Sequence, residues 1–342
     1  MMTAVGLSAP EVTASVRSAT TRFTVTPIHD KRFEPFVLAE IPEDALPSLA
    51  AAVSGLSGLT SRVMRMLRLA TMPLTEALAA LPKRAPRPGL LLALPEGETT
   101  VPLDRNGFPA LLAAQCPGAF DVKYSSAQYL GRAGGVSAIG QAAELVSSGQ
   151  VPLMLAGGID SYRDLFILGT LDMEGRVKSS SNLDGFVPGE GAAFVLLATR
   201  KSAKTYGLSP SAVVTPSADG FEPGHLYSEE IYRGDGLAQT LRNLGARGAL
   251  SAPVTDVYSA MNGESHWGKE WGVAYVRNRA MFDEEHAIHH PADCHGDVGA
   301  AAGAVMAGLA AAGLSSGNLR GPAVLYGSSD RGARAALVVH HT

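Results

Sequence analysis

Two stretches of this chain say nearly the same thing 167 residues apart: "AAELVSSGQVPLMLAGGIDS" (142–161) and "LAAAGLSSGNLRGPAVLYGSSD" (309–330). Each runs from a helix of small residues through Ser-Ser-Gly into an apolar strand that ends at a glycine-containing turn. An internal echo of this kind implies two related halves about a pseudo-twofold axis, a constraint few folds satisfy. It also makes the starts of two buried helices, near Arg132 and near Asp297, equivalent positions that face each other.

The surrounding pattern fits an α/β chain. "GLLLAL" (Gly89–Leu94), "AFDVKYS" (Ala119–Ser125), "VPLMLAGG" (Val151–Gly158) and "GAAFVLLA" (Gly191–Ala198) read as strands, with helices expected over Asp104–Ala114 and Gly135–Ser148. Strands alternating with helices of this length need crossover connections, hence a largely parallel sheet. After a polar joint near Ser202–Ser209 the series restarts, so the halves are expected to be residues 1–201 and 202–342. The second half is expected to hold strands at Ala212–Thr215, Val254–Ser259, Pro322–Tyr326 and Ala335–His340. Helices are expected there at Glu229–Leu244, Trp267–Phe282 and Val298–Leu314. The last of these is the longest apolar stretch; too short for a membrane span and built from Gly and Ala, it reads as a closely packed central helix.

A net charge of −4 argues against nucleic acid or an anionic membrane surface as a partner, since both call for a concentrated basic face. Two cysteines, Cys116 and Cys294, are too few for a disulfide framework and fit a reducing, cytoplasmic setting. The first residues lack the charged lead and apolar core of a signal peptide.

Several polar clusters have plain readings. In "LTSRVMRMLRLATMPLTEALAAL" the apolar residues recur at helical spacing, which predicts an amphipathic surface helix with Arg62, Arg65 and Arg68 on a solvated face. "FDEEHAIHHPADCHGD" gathers His286, His289, His290, Cys294 and His295, but matches no closed zinc spacing, so a helix end and loop with solvent-facing histidines is expected and no metal. Trp267 and Trp271, one helical turn apart, read as core or interface packing.

The segment from Leu145 to Leu197, and above all "DGFVPGEGA" (Asp184–Ala192), resembles the β-ketoacyl synthases of the thiolase superfamily. "GDVGAAAGAVMAGL" (Gly296–Leu309) is similar to that family's Gly-His-x-x-Gly-Ala-Ala-Gly helix entry, and "TAVGLSAPEV" near the N-terminus also fits. The resemblance implies a five-layered αβαβα fold of two thiolase-type halves. It also implies a dimer that pairs the strand leading into the nucleophile turn, here Ala119–Ser125. In that family a cysteine at a helix N-terminus carries the acyl group, and two histidines assist the condensation. Here Arg132 stands at the cysteine's position, Asn262 (or Met261 with a shorter loop) at the first histidine's, and Asp297 at the second's. The family's gating Gly-Phe-Gly-Gly loop reads "GSSDRG" (Gly327–Gly332), while Glu190 keeps a position whose family role is structural.

A guanidinium stays protonated and cannot act as a nucleophile. No cysteine lies between Cys116 and Cys294, and Ser125 or Ser126 would need an activating base that the sequence does not place. Arg132 at the positive end of a buried helix calls for an anion. Either Asp297 pairs with it across the pseudo-axis, or it awaits an anionic ligand.

Two functions are therefore expected. One is a non-condensing homologue in fatty acid or polyketide biosynthesis that acts as an interaction or assembly subunit. It resembles chain-length-factor subunits in lacking the cysteine, with a second copy or another thiolase-fold subunit as partner, and an acyl carrier protein as a further one. The alternative is an acyltransferase or hydrolase of acyl thioesters using a site rebuilt from Arg132, Asn262, Glu264, Asp297, Asp330 and Arg331. Neither calls for a cofactor.

Overall fold

The computed structural model describes residues 1–97, 107–250 and 252–342. The chain opens with β1 (Met2–Thr3), α1 (Ala9–Arg17), the hairpin strands β2 (Thr24–His29) and β3 (Pro35–Leu38), a single turn α2 (Ala51–Ser54) and α3 (Ser61–Leu78). Then come β4 (Gly89–Leu94), α4 (Gly107–Gln115), β5 (Ser125–Tyr129), α5 (Gly131–Ser147), β6 (Leu153–Ser161), α6 (Leu165–Met173) and β7 (Glu190–Ala198). The remainder holds α7 (Arg200–Tyr206), β8 (Val213–Val214), β9 (Ala218–Phe221), α8 (Asp235–Ala246), β10 (Val254–Ser259) and α9 (Ser265–Arg277). It closes with β11 (Phe282–His289), α10 (Ala292–His295), α11 (Ala302–Ser315), β12 (Ala323–Ser328) and β13 (Ala333–His340).

The repeat in the sequence is a repeat in the sheets. Among the described residues the first sheet runs β1-β7-β6-β4-β5 and the second β11-β10-β12-β13-β8. In each, the earliest of the four matching strands (β4, β10) lies between two parallel neighbours, and the last (β7, β13) joins antiparallel. Helices α5 and α11 pack on each other and on both sheets, forming the middle layer. Outside it, α3 and α4 cover one sheet through a core including Leu67, Leu90 and Leu112, while α8 and α9 cover the other around Leu241, Trp271 and Val324. These are the five layers αβαβα.

The middle layer is thin because glycine lets its backbones touch. A β-carbon on Gly303 of α11 would sit 2.3 Å from the Val136 nitrogen and 2.5 Å from the Gly135 carbonyl carbon of α5. Both helices are buried over most of their length, which explains their low contrast between faces.

Several expectations need correction. The segment 119–125 is not the strand: Asp121 accepts from the Lys123 amide (2.9 Å) and opens a 3-10 turn, so β5 begins only at Ser125. Helix α5 starts at Gly131, which puts Arg132 inside its first turn rather than before it. Helix α8 starts at Asp235, after Gly234 in the left-handed region (φ 66°), not at Glu229. Helix α9 stops at Arg277, where Asn278 at the cap donates to the carbonyls of Ala274 and Ala238. The residues beyond it, expected as helix end and loop, form strand β11 on the edge of the second sheet. The first of its histidines are partly exposed, but His295 is buried, where desolvation lowers its pKa and keeps it neutral. The expected helix 104–114 is found from Gly107; its first three residues lie outside the described part.

The basic face of α3 is not solvated either. Arg62 donates to Asp160 (2.7 Å) and to the Ser161 carbonyl, and Arg65 forms a forked pair with Glu190 (2.5 and 2.6 Å). Both arginines are buried; only Arg68 stays partly exposed, against Glu43. Hydrophobic periodicity is blind to a charge whose counter-charge lies about 100 residues away. Among the described residues no helix is long and apolar enough to cross a membrane.

Candidate functional site

The two central helices begin side by side, and their first turns carry opposite electrostatics. In the 3-10 turn Gly299–Ala301 that leads into α11, Asp297 accepts from the Gly299 amide (2.8 Å) and Asp160 from the Ala300 amide (2.9 Å), as carboxylates should at a positive helix end. Gly299 is required there: its φ is 51°, and a β-carbon would lie 2.0 Å from the Asp160 carboxylate. At the start of α5 the capping group comes from the other half: the Ser329 hydroxyl accepts from the Ala133 amide (2.8 Å) and donates to the Leu130 carbonyl. Arg132 sits on this positive end, unfavourable until its partners are counted.

Each nitrogen of its guanidinium has a partner. Nη1 donates to Asp297 Oδ2 (2.7 Å), Nη2 donates to Asp330 Oδ1, Nε donates to the Ser328 carbonyl (3.0 Å), and the Trp267 ring lies 4.7 Å beneath. The Arg132 and Asp297 side chains are 3% and 2% exposed. The cross-axis pairing is thus present, and Asp330 extends it. Asp330 also accepts from Arg176 Nη1 (2.7 Å), and Arg176 closes a two-pronged pair with Glu264 (2.8 Å each). Asn262 Nδ2 donates to Asp297 (2.8 Å) and to Glu264 (3.0 Å), and Trp267 Nε1 donates to Glu264 (3.0 Å).

Five of the six candidate residues, Arg132, Asn262, Glu264, Asp297 and Asp330, therefore belong to one closed network. The sixth, Arg331, lies with its guanidinium 4.7 Å over the ring of Tyr227, whose hydroxyl accepts from Arg176, and its amide donates to Glu96 (3.1 Å). Sequence reasoning missed Arg176, the second cation. The only signal for it was arithmetic, since three candidate carboxylates faced two candidate arginines.

Burial alone would raise the Asp330 carboxyl, but Arg132 and Arg176 override it and hold it far below the usual range. Glu264 is lowered in the same way against its burial, chiefly by Arg176. Arg132, despite desolvation, is pushed up by Asp330 and Asp297 and stays charged. Glu96 behaves oppositely: burial and then repulsion from Asp330 raise it. A carboxyl raised on folding costs stability once it must ionise, so that cost appears as pH climbs above the ordinary carboxyl range and is absent below it. Glu96→Gln should therefore raise the melting temperature at pH 7, with the gain shrinking to nothing near pH 4; thermal melts at the two pH values check this.

In front of the network lies a cavity of about 150 Å³ whose wall includes Arg132, Asp330, Glu96, Tyr162, Ile167 and Leu171. Neither cysteine lines it. Burial raises both thiols, with Cys116 packed in the core beneath the first sheet and Cys294 in the central one. Ser125 is also occupied elsewhere, donating to the Asp121 carbonyl (2.6 Å) and accepting from the Leu90 amide. Ser126 lies beside it on β5, paired with Leu91. Glu190, buried, holds Arg65, the Ser161 hydroxyl and the Ile41 amide together, a structural use. Among the described residues no group of three or more His, Cys, Asp or Glu is placed to hold a metal ion.

The fold defines a class, the thiolase-like ketosynthase architecture. Residues 132–203 match the family model "Beta-ketoacyl synthase, N-terminal domain". The solved "ishigamide ketosynthase/chain length factor" superposes with a TM-score of 0.77 at 17% identity, over 99% of this chain and 96% of that one. A ketosynthase from module 6 of the bacillaene synthase of Bacillus subtilis 168 gives 0.78 at 14% identity, over 99% and 70% of the two chains. A type II PKS acyl-carrier protein in complex with its ketosynthase bound to the hexaketide gives 0.74 at 16%, over 99% and 97%. No curated protein matches the sequence. The chain has the thiolase-like fold of these ketosynthases, and a segment of it is similar to their N-terminal domain.

Proposed function

We propose that this protein is a non-condensing ketosynthase-fold subunit, which acts by assembling with a second thiolase-fold chain rather than by carrying an acyl group. One observation carries the reading. The residue matching the family's nucleophile position, Arg132, is a permanent cation with each of its three nitrogens bonded, to Asp297, Asp330 and the Ser328 carbonyl. A guanidinium cannot attack a thioester, and the Ser329 hydroxyl that caps this helix start spends its proton on the Leu130 carbonyl.

The alternative, hydrolysis or acyl transfer by the rebuilt polar site, needs an acid and a base whose pKa values are driven apart. Asp330 and Glu264 are both driven down and both consumed in holding arginines, so the raised Glu96 finds no free base in either of them. That favours a locked site over a working one.

Strand β5, which ends its sheet and pairs only with β4 among the described residues, supports assembly edge to edge with a second copy or with another subunit of the same fold. The solved relatives add support, since one is named as a ketosynthase/chain length factor and another as a ketosynthase with its acyl-carrier protein. An acyl carrier protein is the further partner we assign.

Incubation with acyl-CoA and with acyl-loaded carrier protein should leave the intact mass of the chain unchanged. An adduct on any serine or cysteine would refute the reading.

A further inference from the structure

The net charge of −4 conceals one strongly basic end of the molecule. The register of the first sheet brings the starts of β4, β5 and β6 level with the end of β7: Gly89 lies beside Met154, Leu90 beside Ser125, and Leu153 beside Ala198. The connections at that end are therefore neighbours. The segments 79–88, 146–152 and 199–211 hold Lys83, Arg84, Arg87, Arg200, Lys201 and Lys204 and no acidic residue. The fourth connection, ahead of β5, adds Lys123 and one carboxylate, Asp121, which caps its own 3-10 turn. All six cations are exposed, and none forms an ion pair among the described residues.

The basic groups are presented on stiff backbone. The Ala85 amide donates to the Pro82 carbonyl (2.9 Å), a turn with Lys83 and Arg84 at its corner, and Pro82, Pro86 and Pro88 fix the loop on either side. Arg84 Nη2 donates to the Thr205 carbonyl (3.4 Å), which sets this loop against the last turn of α7. On α7, Arg200 and Lys204 are four residues apart and Lys201 and Lys204 three, so like charges share a face and repel. A partner that supplies carboxylates removes that penalty, and the forks of Arg84, Arg87 and Arg200 suit carboxylates best. The three segments carry no exposed large apolar side chain, so nothing in them inserts into a bilayer or stacks on bases. Of the chain's 28 basic residues these six sit here, which leaves 22 against 32 acidic ones, a net −10 over the rest, repelling any polyanion longer than the patch. Four strand ends span about 15 Å, close to the width of one helix with its side chains.

We propose that this end of the first sheet is a docking surface for an acidic helix of a partner protein, whose glutamates or aspartates, one turn apart, are taken by Arg84, Arg87 and the cations of α7. The surface precedes β4 and β5, whereas Arg132 follows the far end of β5, so it is separate from the ionic network. It is independent of whether Arg132 carries an acyl group.

The probe is a synthetic helical peptide of about 15 residues with glutamate along one face, labelled with a dye, titrated with the full chain and followed by fluorescence anisotropy. Saturable one-to-one binding is expected, lost as salt rises from about 0.05 M to about 0.5 M. Arg84→Glu combined with Lys204→Glu should weaken it at least about tenfold, and Arg84→Gln combined with Lys204→Gln about threefold. Both positions are exposed, so neither variant should lower the melting temperature. Arg233→Glu combined with Arg242→Glu, at exposed cations beside and on α8, should leave the affinity within about twofold. The proposal is overturned by absence of peptide binding, by an equal loss in the α8 variant, or by tighter binding of phosphatidylserine vesicles or single-stranded DNA than of the peptide.

Discussion

Asp297→Ala is expected to cost about 3–5 kcal/mol of folding stability, the usual penalty for removing one partner of a buried ion pair. The loss has three parts. Arg132 keeps Asp330 but loses its inner counter-charge at a helix end that already repels it. The Gly299 amide loses its cap, and Asn262 loses an acceptor. Chemical denaturation read by tryptophan fluorescence measures it, since Trp267 lies under the Arg132 guanidinium. Asp297→Asn separates the parts: it keeps the cap and removes the charge, so it should recover only a fraction of the loss. Wild-type stability in Asp297→Ala would mean that the cross-axis pair does not hold the two halves together.

Gly303→Val should be at least as damaging, at about 3 kcal/mol or more, with a fall in soluble yield. The new atoms would enter the α5 backbone at Val136 and Gly135, where no side chain can move aside. Position 308, one and a half turns further along α11, is the control. There an added β-carbon meets only the flexible end of Met1 at 3.1–3.2 Å, so Gly308→Ala should fold with near-normal stability. Equal tolerance at both positions would contradict the close helix contact in the middle layer.

Much of this was legible in the residues. The duplicated helix-turn-strand announced two matching sheets, and the central helices and most strands fall within a few residues of their expected places. Arg132 opposite Asp297 followed from the duplication plus the polarity of a helix end. The failures have separate causes. Strand β11 is an edge strand with polar residues on its open side, so its pattern "FDEEHAIH" shows little alternation. The repeat could have revealed it, because β11 occupies in the second sheet the place of β5 in the first. Arg62, Arg65 and Arg176 were missed as buried groups because what buries a guanidinium is a distant carboxylate, and no local window contains it. The strand expected over 119–125 slipped because Asp121 forms a turn where apolar content alone suggested an extended chain.

The closure of the ionic network also bears on how the position could ever change. A thiol placed at 132 would be left facing Asp297 and Asp330, with Glu264 close behind, in a desolvated pocket. Such neighbours favour the protonated sulfur and suppress the thiolate that chemistry needs. A one-step exchange of arginine for cysteine would thus give a weakened fold and a dormant sulfur. Any mutational route to a condensing enzyme has to alter positions 132, 297 and 330 in concert.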